Sequence, residues 1–113
     1  MSARAVETVT QIVEQGGEAD DILRTAVAAL LREPGVEWVG IAFLEDGELR
    51  LGPAAGVADR AQRLQAPIMF QGAQVAELRV DGHVDREHLD RIASLVAPYA
   101  LIGWDTGGEL WDP

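Results

Sequence analysis

No cysteine occurs among the 113 residues, which excludes a disulfide frame, a thiolate metal site and any thiol chemistry. Lysine is absent as well, and all nine basic residues are arginine. This usage points to a GC-rich bacterial coding bias. The arginines are scattered among 19 acidic residues, and the resulting net charge of -10 sets up a field that repels phosphates and argues against nucleic-acid binding. No stretch approaches the roughly 18 uninterrupted apolar residues of a membrane span, and the opening MSARAVETVTQ has no apolar h-region. These absences lead to the expectation of a cytoplasmic protein that meets neither nucleic acid nor membrane. Repeats, low-complexity tracts and linkers are also missing. What is present is 48% hydrophobic residues, enough to build the core of one domain spanning residues 1–113.

Ala5, Val6, Val9, Ile12 and Val13 recur at spacings of three and four, which predicts an amphipathic helix over residues 4–15, interrupted by Gly16-Gly17. Ile22, Leu23, Ala26, Val27, Leu30 and Leu31 form the stripe of a second helix, with Asp20 or Asp21 as its cap and Glu33-Pro34-Gly35 as its end. Val36 to Leu44 is rich in β-branched and aromatic residues, Asp46-Gly47 is a hairpin turn signal, and Glu48 to Leu51 resumes alternation. Residues 54–63 read as a connector with room for one helical turn. A second hairpin follows, Leu64 to Gln71 and Gln74 to Asp81, turning at Gln71-Gly72-Ala73. Leu64, Ala66, Ile68 and Phe70 share one face with Ala76, Leu78 and Val80, and the opposite faces are largely polar. Asp85 is placed to cap a last helix that carries Leu89, Ile92, Ala93, Leu95, Val96 and Tyr99, and that ends near Ala97 or kinks at Pro98. The tail LIGWDTGGELWDP is apolar enough to dock on the domain or on a partner.

The order of helix, hairpin, connector, hairpin and helix resembles a GAF domain. The segment WVGIAFLEDGELRLGP is similar to the W-V-G-F-Y-L-x-x-x-x-L-x-L-G-P run of GAF-type free methionine-R-sulfoxide reductases, and APIMFQGAQVAELRVDGHVDREHLDRIASLV is similar to their closing segment. The resemblance implies an α+β, GAF-like (profilin-like) antiparallel sheet of about four strands, with N- and C-terminal helices packed on one face. It also marks what this chain has lost. Those reductases carry a long insertion and their cysteines where only residues 54–63 stand here, and two of the acids that would hold the ligand's ammonium group correspond to Arg63 and Arg79. The third is retained as Asp81. Without a thiol there is no nucleophile, so the expectation is a protein with no catalytic residue, no cofactor and no metal.

Three other patterns fit structural roles better than chemical ones. Asp81, His83, Asp85 and His88 match no established metal spacing and suit a solvated loop with a capping Asp. Asp105-Thr106-Gly107 has too little chain after it for an aspartic protease and reads as a turn. Ser94 has no His at a spacing that would make it a base and reads as a packed helix serine. No phosphate-binding glycine loop is present.

Strand one is apolar on both faces, with Trp38, Ala42 and Leu44 on one and Val39, Ile41 and Phe43 on the other, so both faces are expected to be covered. Two functional readings follow. In the first, the chain is a non-catalytic regulatory or interaction module that forms a homodimer or docks a protein partner through Trp38, Phe43, Leu44, Trp104 and Trp111. In the second, it is a sensor whose reduced pocket is closed by the tail, with Arg63, Arg79, Asp81 and Trp104 around a small anionic ligand.

Overall fold

A computed structural model describes the backbone of residues 3–110 and the side chains of residues 3–100. The elements run α1 (Ala3–Gln15), α2 (Ala19–Leu31), β1 (Val36–Glu45), β2 (Glu48–Gly56), a 3-10 turn (Arg60–Gln62), β3 (Arg63–Phe70), β4 (Ala73–Gly82) and α3 (Arg86–Leu110). The four strands form one antiparallel sheet in the order β2-β1-β4-β3. Its architecture is α+β, as the order of elements in the sequence implies. No described helix is long and apolar enough to cross a membrane.

All three helices lie on one side of the sheet. Helix α2 packs on β1 and β2, α3 packs on β3 and β4, and α1 leans on both helices. The register places Val39 opposite Val80, Ile41 opposite Leu78, Ala66 opposite Leu78, and Ile68 opposite Ala76, so the period-two apolar positions of three strands meet on that side. Leu23 and Leu30 of α2 and Leu89, Ile92 and Val96 of α3 close over them, and each is essentially removed from solvent. Burying each such side chain is worth about 1.5–3 kcal/mol, which makes this layer the main source of stability.

Both hairpins close through two-residue turns with positive φ at both central residues, Asp46 and Gly47 in one, Gln71 and Gly72 in the other. That geometry matches the right-handed twist of the strands. Strand β2 runs further than its alternation suggests, because the backbone of residues 54–56 pairs with residues 38–40 of β1. The connector is therefore only residues 57–62. Pairing of main-chain groups overrides the weak strand preference of the run Gly52-Pro53-Ala54-Ala55-Gly56.

Two capping expectations meet different outcomes. Asp85 accepts a hydrogen bond from the Glu87 amide and starts α3. Helix α2 begins instead after Glu18, with no side-chain cap, so Asp20 and Asp21 lie within its first turn, where their charge favours the helix dipole. Helix α3 continues through Pro98 to Leu110 rather than ending near Ala97. Ser94 is exposed, not packed, and its hydroxyl donates to the Asp90 carbonyl one turn earlier. Asp105-Thr106-Gly107 lies within the helical span, so its backbone is not a turn.

Candidate functional site

The face of the sheet away from the helices is set by the alternate residues of the same strands. Trp38, Gly40 and Ala42 of β1 lie beside Asp81, Arg79 and Glu77 of β4, which in turn pair with Arg63, Gln65 and Pro67 of β3. Gly40 is what lets this layer lie flat. A Cβ built there would sit 2.4 Å from Cη2 of Trp38 and 3.1 Å from Cδ1 of Leu51, so the indole occupies the space that any other residue would fill.

Arg63 covers the indole. Its guanidinium carbon stands 4.4 Å from the Trp38 ring centroid, within cation–π range. Nε and Nη2 of the same guanidinium donate to Oδ1 and Oδ2 of Asp81 at 2.7 and 2.9 Å. Asp81 is completely buried. Its Oδ2 also accepts from the Asp59 backbone amide at 2.6 Å, which ties the short connector down onto this face. The bond from Arg63 holds the Asp81 carboxyl below its ordinary value of 3.8 despite burial, with the Asp59 amide and the charges of Arg63 and Arg60 acting in the same direction. The same contact raises the Arg63 guanidinium above its ordinary value.

A second pair lies alongside. Arg79 Nε donates to Glu77 Oε1 at 2.7 Å, with only 20% and 15% of the two side chains exposed. Between the pairs opens a recess of about 470 Å³ lined by Arg60, Arg63, Gln65 and Arg79. Arg60 comes from the 3-10 turn, where Asp59 accepts from the Ala61 amide and Gln62 reaches back to Asp59. Among the described residues Arg60 forms no ion pair, unlike Arg63 and Arg79.

The sequence places Arg63, Arg79 and Asp81 at this site, and the fold brings all three together. Trp104 and Trp111 lie outside the described side chains. Trp38 is not available as a docking surface, because only 8% of it is exposed beneath Arg63. Phe43 faces the helices and packs over Gly52, and Leu44 is half-buried. On the free face of β1, Arg63 stacks on Trp38, and Leu51 lies near Gly40 while remaining 54% exposed. Sequence reasoning missed Gly40, Asp59, Arg60, Gln65 and Glu77. Only Glu77 and Gln65 left a signal, as polar residues on the non-core face of their strands. Asp81, His83, Asp85 and His88 do not converge: Asp81 turns to Arg63, whereas His88 Nδ1 faces Asp85 at 3.8 Å. No group of three metal-ligating side chains forms among the described residues.

No family model and no curated protein matches the chain. Solved structures do match. The free methionine-R-sulfoxide reductase of Staphylococcus aureus, in complex with substrate, superposes with a TM-score of 0.71 at 17% identity, covering 87% of this chain and 94% of that one. The type II free methionine-R-sulfoxide reductase of Thermoplasma acidophilum gives 0.61 at 19% identity, over 73% and 92% of the two chains. The GAF domain of the Acinetobacter phosphoenolpyruvate-protein phosphotransferase gives 0.66 at 11% identity, over 95% and 98%. At such identities the match establishes the fold, which is GAF-like.

Proposed function

We propose that the chain is a cytoplasmic, non-catalytic GAF-like regulatory module that senses a small molecule on the free face of its sheet. The observation that carries this reading is the recess lined by Arg60, Arg63, Gln65 and Arg79. Its volume lies in the range of small-molecule sites, and Asp81, Glu77 and Trp38 fix two of its lining side chains in advance. Two of the neighbours in fold are reductases, but the chain has no cysteine, and no other nucleophile stands beside a base among the described residues, so binding rather than turnover suits the site. A thermal-shift screen of small metabolites tests it. At least one compound is expected to raise the melting temperature of the wild type and to lose that effect in Arg79→Ala. A broad panel without any shift contradicts the reading.

A homodimer through the same face is the second reading, favoured by Leu51 and Met69, which are 54% and 47% exposed there. Sedimentation equilibrium distinguishes it. A dimer that dissociates in Leu51→Arg supports it, and a monomer at every concentration removes it.

A further inference from the structure

We infer that the ligand of the recess carries a compact oxyanion, a carboxylate or a phosphate, and that Arg60 is the residue that captures it. This rests on the small-molecule reading above and adds the chemical class and the capturing residue. Three of the nine cations in a chain of net charge -10 converge on one recess, an arrangement opposite in sign to the molecule as a whole.

The three are not equivalent. The charges of Arg63 and Arg79 are matched by Asp81 and Glu77, whereas among the described residues no carboxylate pairs with Arg60. Arg60 is also exposed, and although its charge acts on Asp81 from a distance, its guanidinium is held by no ion pair among the described residues. The two matched arginines still have donors to offer. Asp81 engages Nε and Nη2 of Arg63, and Glu77 engages Nε of Arg79, which leaves Nη1 of Arg63 and both terminal nitrogens of Arg79 without a described protein partner. Because the carboxylates hold those guanidiniums in place, little side-chain freedom is lost when an anion arrives. Gln65 stands opposite Arg79 in the register and adds an amide to the rim.

A cationic ligand finds no comparable partner. Both oxygens of Asp81 are already engaged and the residue is fully buried, while Glu77 is engaged by Arg79. The planar fork of arginine suits carboxylate and phosphate oxygens in pairs, so oxyanions are the class that the unspent donors fit.

Calorimetric titration at low ionic strength tests this with three probes: inorganic phosphate, succinate and the neutral diamide succinamide. Saturable binding of phosphate or succinate and none of succinamide is expected, and the tighter of the two anions identifies the source of the oxyanion. Arg60→Gln is expected to weaken that binding by about tenfold or more, as loss of a charge-assisted hydrogen bond implies. Arg91→Gln, an exposed charge on α3, is expected to leave it unchanged. Equal binding in Arg60→Gln and wild type, or succinamide binding as well as succinate, overturns the inference. If neither anion binds while an uncharged compound from the thermal-shift panel does, the oxyanion inference falls and the sensing reading stands. If nothing binds at all, both fall.

Discussion

Asp81 is the residue on which the free face depends, because a fully buried carboxylate is tolerated only with its oxygens satisfied. Replacing it by Asn keeps the shape but leaves the Arg63 guanidinium half-buried without its counter-charge. Asp81→Asn is expected to cost about 3 kcal/mol in urea unfolding at neutral pH. The acid limb follows from the lowered carboxyl value. Below the ordinary 3.8 but above the folded value, the unfolded chain takes up the proton and the folded chain does not, so stability rises with pH there. The contribution of the pair is complete above 3.8 and is lost as pH falls through the depressed folded value. Wild type is therefore expected to lose stability over that acid interval more steeply than Asp81→Asn, and parallel pH profiles would contradict the assignment. Arg63, Arg79 and Asp81 were legible only through the resemblance of their segments to the reductase pattern, and Arg63 was read as the end of the connector although it opens β3. Asp59 and Arg60 were not, since the connector has no periodicity and its position is set by a hydrogen bond to a residue 22 places away.

At the scale of elements, the two hairpins show how much turn chemistry decides. Asp46-Gly47 supplies residues that tolerate positive φ, whereas the second hairpin holds Gln71 at φ 52 beside Gly72. Gln71→Asn places a residue suited to the left-handed region and is expected to stabilise the fold by about 0.5 kcal/mol in chemical denaturation. A loss of stability would show that Gln71 holds its geometry through its side chain. Helices and strands with regular apolar spacing were readable from the sequence, as Val9, Leu23, Ile41, Leu78 and Ile92 show by their burial. The end of β2 was not, because Ala54 to Gly56 join the sheet through main-chain pairing that no side-chain pattern announces. The start of α2 after Glu18, without a side-chain cap, and the passage of α3 through Pro98 likewise run against the local capping and proline signals.

Taken whole, the molecule is a GAF-like sheet with helices on one face and a polar, self-covered layer on the other. The apolar second face of β1 suggested that something else must lie over it; within this chain Leu51 of the adjacent β2 and Arg63 of β3, two strands away, lie against Trp38 and Gly40. The long reach of an arginine over an indole is invisible to patterning, since a strand position reports which face a side chain leaves but not where its tip arrives. What results is an open, arginine-lined recess in an acidic protein. The most direct test is an amide and arginine side-chain NMR titration with the compound that gives the largest thermal shift. Saturable changes confined to residues 59–65 and 77–81 are the expected result. Changes centred instead on α1 and the helix-facing residues of the sheet, with Arg60, Arg63 and Arg79 unmoved, would contradict the account.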